Sequence, residues 1–307
     1  MKSAATIFLA AFLALSASWA AFVLAPQLQL GREPQAKATG TDNLYPVARP
    51  GLAKQGAEVY RSLGCVYCHS QQVGQEGVKC EVILTEAGTN ASVTLAALAK
   101  LNTELGQPQT LAALPKVLMP VADVPTAVPI IKAIAAVGAK AEARVTPVGA
   151  DISRGWGLRR SVAQDYAYDS PVQPGTRRFG PDLANVGLTK PDVNWHLRHL
   201  YAPATEIKGS TMPPYRFLFE KHKRGAKPSP DALQFADEPG FEIVPTDDAR
   251  ALAAYLVSLR ADAPLVEAPF TAPTPAAPST NAPVATNRVA SLPYTASELL
   301  KLPESSK

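Results

Sequence analysis

Thiol and imidazole groups are scarce in this chain. Its 307 residues include 3 cysteines, 4 histidines and 3 methionines. A structural zinc centre needs about four ligands, commonly completed by a second C-x-x-C or an H-x-x-x-H pair. Beyond Cys65 and Cys68 there is only Cys80, and the histidines outside that motif are His196, His199 and His222, so a zinc site is disfavoured. A disulfide framework is excluded too, because Cys80 stands alone once Cys65 and Cys68 are committed. Charge of one sign is also missing: 30 Lys and Arg against 26 Asp and Glu give a net +4 without a dense basic block. Nucleic acid is therefore not implied as a partner.

Against that scarcity, Cys65-Val66-Tyr67-Cys68-His69 forms a C-x-x-C-H run, the pattern for covalent attachment of a c-type haem. Two thiols at this spacing reach the two vinyl groups of one porphyrin, and the histidine that follows is held beneath the iron as an axial ligand. One such run predicts one covalently attached haem c, with Cys65, Cys68 and His69 binding it. The adjacent histidine argues against thiol redox chemistry or half of a zinc site.

The first residues, Met1-Lys2-Ser3, precede an uncharged apolar run from Ala4 to Ala25. A helix of about 20 such residues crosses a bilayer. A cleaved signal peptide with a small-residue site near Ser16-Ala17-Ser18 is the rival, but its apolar core is usually about 7–15 residues. Here the run continues through Ala21-Phe22-Val23-Leu24-Ala25, which favours an uncleaved anchor over 1–26. Either way the bulk of the chain lies outside the cytoplasm. Prolines at 34, 46 and 50 make 27–50 an extended linker. The pattern predicts a helix from Leu52 to Leu63, ended by Gly64, and another from Ala249 to Leu259, capped by Thr246-Asp247-Asp248. From 263 to 307 an Ala/Pro/Thr/Ser composition reads as a disordered tail. A short docking helix over Ala296–Leu302 is the lesser reading there.

A low-spin electron carrier needs a sixth iron ligand, and a methionine opposite histidine raises the potential. Met1 is the start and Met119 reads as core. Met212, in Gly209-Ser210-Thr211-Met212-Pro213-Pro214-Tyr215, sits in a loop stiffened by prolines and is the candidate ligand. Gly180-Pro181 offers a free carbonyl at Pro181, the acceptor a ligating histidine needs for its other ring N–H. Arg177 and Arg178 are candidates for the haem propionates. His196 and His199 lie three apart at helical spacing and read as hydrogen-bonding or interface residues. His222, inside Lys221-His222-Lys223-Arg224, reads as part of a solvated basic run.

Taken together, Gly155-Trp156-Gly157-Leu158-Arg159-Arg160-Ser161-Val162-Ala163, Asp165-Tyr166, Gly180-Pro181-Asp182-Leu183, Trp195-His196, His199-Leu200 and Met212-Pro213-Pro214-Tyr215 resemble the mono-haem subunit II of cbb3-type cytochrome c oxidases. The Ala25-Pro26-Gln27-Leu28-Gln29-Leu30-Gly31 exit of the anchor and the Cys65–Ser70 region with Gln71 match as well. The resemblance implies a mainly α fold: a class I cytochrome c domain, residues 51–77 and 151–262, behind one transmembrane helix. In such a domain Gly56 and Tyr60 would meet Tyr255 and Leu256. It implies a single-pass protein of a bacterial cytoplasmic membrane, with its haem domain on the periplasmic side. A multi-haem c-type subunit or a soluble cytochrome c would be the electron donor. The acceptor would be the haem-copper catalytic subunit of a proton-translocating oxidase, and the chain itself would be a non-catalytic electron-transfer subunit. The same chemistry fits a c-type subunit of a nitric oxide reductase-like complex. A haem sensor or peroxidase with an open iron position would require that Met212 is no ligand. A copper-bearing subunit is disfavoured, since the one C-x-x-C pair is assigned to haem.

The sequence departs from that family between Gln71-Gln72-Val73 and Arg154-Gly155-Trp156, where a short loop is replaced by about 80 residues, too long for an unstructured loop. A strand at Cys80–Thr85 is followed by a helical stripe of Leu95, Leu98, Leu101 and Leu105. Then come a short helix at 109–114, a strand at Val117–Val121, a helix capped by Asp123 and ended by Gly138, and a strand at Ala139–Val145. This order, with Val82-Ile83-Leu84-Thr85-Glu86-Ala87-Gly88 and Ile131 to Glu142, resembles the C-terminal domain of the bacterial ribosomal stalk protein. The resemblance implies a small inserted α/β domain, 78–150, with that fold and not that task. Cys80 is expected as a buried strand residue. The insert is expected to cover one side of the haem domain or to contact a neighbouring subunit.

Overall fold

The computed structural model describes residues 2–30, 34–38, 44–49, 51–225, 229–265 and 267–271. Helix α1 (Lys2–Trp19) passes through a π turn (Ala20–Leu24) into α2 (Ala25–Leu30). Next come β1 (Ala36–Lys37), β2 (Leu44–Tyr45), α3 (Leu52–Ser62), β3 (Gly77–Glu86), α4 (Ala91–Leu101), α5 (Gln109–Ala112), β4 (Lys116–Val121), α6 (Val124–Ala135), β5 (Lys140–Val148) and α7 (Ala150–Ser153). The chain continues with α8 (Val186–Thr189), α9 (Val193–Tyr201), α10 (Pro203–Glu206), β6 (Phe219–Lys223), β7 (Phe241–Pro245) and α11 (Asp247–Ser258).

The N-terminal stretch Ser3–Gln29 has 27 residues, with a mean hydropathy of 2.3 over its 18-residue apolar window. At 1.5 Å per residue it spans roughly 40 Å, more than the ~30 Å hydrocarbon core of a bilayer. It fits a single-pass membrane anchor. Helix continues past position 26 because the π turn absorbs Pro26: the Ala25 N–H reaches back to Ala20 O, a five-residue step. In the linker, β1 and β2 pair antiparallel. That pair is tied to the following domain by a Tyr45 Oη to Asp165 Oδ1 bond of 3.0 Å, and nearby by the Arg49–Asp169 ion pair.

Two hydrophobic cores follow. In the first, α3 crosses α11 so closely that a Cβ on Gly56 would lie 1.9 Å from Ala251 O. Only glycine fits there. One turn on, the Tyr60 and Tyr255 rings meet at 5.3 Å. Leu197, Leu200 and Tyr201 of α9 close this core with Leu252 and Leu256 of α11. Thr246 caps α11 by accepting the Ala249 N–H at 3.3 Å. The β6–β7 hairpin is a structure the sequence pattern did not reveal; it places the basic run around His222 on an exposed strand.

The second core is built on a three-stranded antiparallel sheet in the order β4-β3-β5. Val82 and Leu84 of its central strand are fully buried, packed with Leu98 of α4 and with Ile131 and Ile134 of α6. Asn90 and Asp123 cap α4 and α6. The element order is the one the sequence predicts. Cys80 is buried in β3.

The composition predicts a disordered tail from 263. Its first described residues instead pack: Ala263, Ala268 and Phe270 are buried. They form a strap between the two cores. Arg159 Nε donates to Ala263 O at 2.6 Å and Arg160 to Glu267 O at 2.5 Å, while the Thr271 N–H donates to Val145 O at 2.8 Å. A segment too apolar-poor to build a core can still bury a few side chains on cores already built. Residues 272–307, including Ala296–Leu302, lie outside the described residues.

Candidate functional site

Gly64 ends α3 in the left-handed conformation, at φ 72°, a backbone state suited to glycine. The C-x-x-C-H run then coils tightly: the Cys68 and His69 N–H groups both donate to Cys65 O, at 3.1 and 2.9 Å. Cys65 and Cys68 are free thiols, Cys68 exposed and Cys65 half-buried. Burial pushes the Cys65 thiol up to about 11, so it is protonated at neutral pH.

A distant segment is laced onto this coil. Gly180 N–H donates to Cys68 O at 2.9 Å, Thr176 N–H to Val66 O at 3.1 Å and Leu183 N–H to Ser70 O at 2.8 Å. Gly180 packs so tightly that a Cβ there would stand 2.3 Å from the His69 ring. The next residue, Pro181, presents its carbonyl to His69 Nδ1 at 2.8 Å. Burial lowers the His69 pKa while that hydrogen bond opposes it, and the ring is held neutral with one nitrogen spoken for. The other nitrogen is left for a ligand. Asp182, buried, accepts from Ser70 Oγ at 2.5 Å and from the Gln72 N–H at 2.8 Å, fixing the chain just past the histidine.

Met212 enters from a third direction. Its loop is pinned by the Tyr215 N–H on Leu200 O at 2.8 Å, and its own N–H donates to Ser210 Oγ at 3.3 Å. Cys65, Cys68, His69, Pro181 and Met212 all line one cavity of about 800 Å³, within the ~300–1,000 Å³ usual for a cofactor site. Leu183, Val186, Leu200, Leu252 and Leu256 supply apolar wall.

Arg177 and Arg178 do not line this cavity. Arg177 stands 5.7 Å from the Phe179 ring. The Arg178 guanidinium is spent on Ser70 Oγ (2.9 Å), Asp151 Oδ1 (2.8 Å) and Gln72 O (2.5 Å). The cations in the wall are Arg154 and Lys190. Sequence reasoning missed both. Arg154 lies over Trp156 at 4.9 Å and Lys190 over Trp195 at 4.9 Å. The one available signal was that each sits within five residues of a motif tryptophan. His196 and His199 also line the cavity. His196 Nε2 is 2.8 Å from Lys190 O, and His199 is stacked on Trp195 at 4.9 Å.

Residues 143–259 match the family described as cytochrome C oxidase, mono-heme subunit/FixO. The resemblance to subunit II of the cbb3-type oxidases is borne out there. The matched span holds Pro181, Trp195, His199 and Met212. It begins within β5, downstream of Cys65–His69. This family implies a mono-haem cytochrome c subunit of an oxidase, a haem c cofactor and association with the catalytic oxidase complex. No curated protein matches the chain.

The residues present fit a haem. Two unpaired thiols, a neutral histidine with one nitrogen committed to a carbonyl, and a methionine share one apolar cavity. That donor set suits covalent attachment and His/Met coordination.

Proposed function

We propose that this chain is a membrane-anchored electron-transfer subunit of a cbb3-type oxidase. The observation that carries the reading is the convergence of Cys65, Cys68, His69 and Met212 on one apolar cavity, with His69 held by Pro181. Cys65 and Cys68 would hold the haem by thioether bonds, and His69 and Met212 would ligate its iron. When bound, the haem supplies a one-electron couple. The chain's own part is to orient the ligands, exclude water with the leucine wall and meet the propionates with Arg154 and Lys190 in place of Arg177 and Arg178. The Gly56 crossing of α3 and α11 supports a class I cytochrome c domain.

The donor in this reading is a multi-haem c-type subunit or a soluble cytochrome c. The acceptor is the haem-copper catalytic subunit, where oxygen is reduced. The domain lies on the periplasmic side of a bacterial cytoplasmic membrane, held by the helix through Ser3–Gln29. Optical and low-temperature EPR spectra of the full-length, haem-loaded protein beside Met212→Ala test the reading. A methionine-to-iron charge-transfer band in the wild type, lost in the variant, is the expected result. A five-coordinate high-spin wild type, indifferent to loss of Met212, would overturn it.

A further inference from the structure

Asp151 stands at the foot of the three-stranded sheet, in α7, three residues past the end of β5. The neck of the sheet closes beside it: the Glu76 N–H donates to Val148 O at 2.9 Å and the Ala150 N–H to Glu76 Oε1 at 3.1 Å. The Asp151 side chain is buried and both of its oxygens are taken. Oδ2 accepts the Gly74 N–H at 2.7 Å, and Oδ1 accepts from Arg178 Nη1 at 2.8 Å. Arg154 Nη1, at 4.0 Å, is too far to bond. Gly74 lies five residues after His69 and Arg178 three before Pro181. One carboxylate thus spans the two segments that meet in the His69–Pro181 hydrogen bond.

A second carboxylate competes for the same arginine. Arg178 Nη2 stands 3.7 Å from Asp182 Oδ2, outside hydrogen-bond reach. That oxygen already accepts from Ser70 Oγ at 2.5 Å and from the Gln72 N–H at 2.8 Å. Held by Asp151, Arg178 leaves it to those two partners and reaches Ser70 Oγ through Nε instead. Charge-assisted hydrogen bonds are about twice as strong as neutral ones. An Arg178 released from Asp151 therefore closes on Asp182 and draws that oxygen off Ser70 and Gln72. Asp182 follows Pro181 directly, so the displacement reaches the carbonyl that fixes the His69 ring. We propose that Asp151 is a positioning residue for His69: by holding Arg178 back from Asp182 it keeps the Pro181 carbonyl on His69 Nδ1. The inference rests on the haem reading above. Asp151 does not line the cavity and acts through Arg178.

The test is solvent exchange of the His69 Nδ1 proton, read by NMR on reduced, haem-loaded, full-length protein. The variants are Asp151→Asn, Arg178→Gln and the two combined, with the Leu252 amide of α11 as reference. Asp151→Asn is expected to speed exchange at His69 about tenfold, the weight of one hydrogen bond, and to leave Leu252 unchanged. Adding Arg178→Gln removes the competitor for Asp182 and is expected to recover at least half of that shift, since the two side chains act as a coupled pair. Wild-type exchange at His69 in Asp151→Asn overturns the proposal. Equal acceleration at Leu252 overturns it too, because it marks general loosening of the fold. A double variant as fast as Asp151→Asn denies the part of Arg178 and has the same effect. Should Asp151→Asn fail to take up haem, Asp151→Ser replaces it under the same criteria. If neither loads, restored haem content on adding Arg178→Gln supports the proposal and its absence overturns it. A wild type without covalent haem sinks the electron-carrier reading and this inference with it, whereas a loaded wild type with an unmoved Asp151→Asn sinks only the role of Asp151.

Discussion

His69 Nδ1 meets the carbonyl oxygen of Pro181 at 2.8 Å across 112 positions of sequence. The elements from β3 to β5 account for much of that separation, yet the contact is made. It is made because Gly180 and Leu183 hydrogen-bond to Cys68 and Ser70 on either side of the histidine, and because Gly180 has no side chain to hold the ring away.

Gly180→Val is therefore expected to displace the imidazole, since even a Cβ would stand 2.3 Å from it. The measurement is covalent haem content per polypeptide together with the low-spin fraction by EPR. Haem content is expected to fall severalfold, with high-spin signal in what remains. A variant with wild-type loading and spectra would show that the close approach at Gly180 does not position His69.

Arg159 carries a second long-range joint. Its guanidinium is fully buried and paired with Asp165 at 2.8 Å, and it also holds Ala263 O. Asp165 in turn accepts from Tyr45 and from the Val162 N–H. Removing one partner of such a pair leaves an uncompensated buried charge, at a cost of about 3–5 kcal/mol. Arg159→Met should lower the denaturant midpoint of the protein accordingly. It should also speed hydrogen exchange at Val145, whose N–H is held by Thr271 through the strap. Unchanged exchange at Val145 would separate the strap from the buried pair.

Acid should destabilise the fold through His196. Burial holds its pKa below the ordinary value, against the pull of the Lys190 carbonyl. Below about pH 6.5 the unfolded chain takes up a proton there that the folded chain does not. The stability contributed by neutral His196 is thus full above that pH and declines as pH falls towards the folded value. Denaturant midpoints at about pH 7.5 and about pH 5 should differ less in His196→Asn than in the wild type. Equal pH dependence in the two proteins would remove His196 from the acid response.

The local signals were legible without coordinates. Cys65, Cys68 and His69 lie within five residues, so their spacing alone raises the expectation of a c-type haem. The candidate membrane span shows in an unbroken apolar run, and the order of the six elements from β3 to β5 shows in the Leu95–Leu105 stripe, the Asp123 cap and the strand-like runs around them. Met212 and Pro181 stood out because prolines make loops distinctive. What depends on residues far apart did not show. Arg178 looked available beside Arg177, and only the fold reveals that Asp151, Ser70 and Gln72 claim it while Arg154 and Lys190 face the cavity. His196 and His199 share a helix and a spacing, and only their surroundings give one a carbonyl and leave the other's Nδ1 without a hydrogen-bond partner among the described residues. The packed start of the tail at Ala263, Ala268 and Phe270 was hidden for the same reason. Covalent spacing, hydropathy and capping are properties of neighbouring residues, so the sequence by itself determined which groups are present and in what order. Burial and hydrogen-bond partnership arise between surfaces brought together by folding, and these the tertiary structure alone decided.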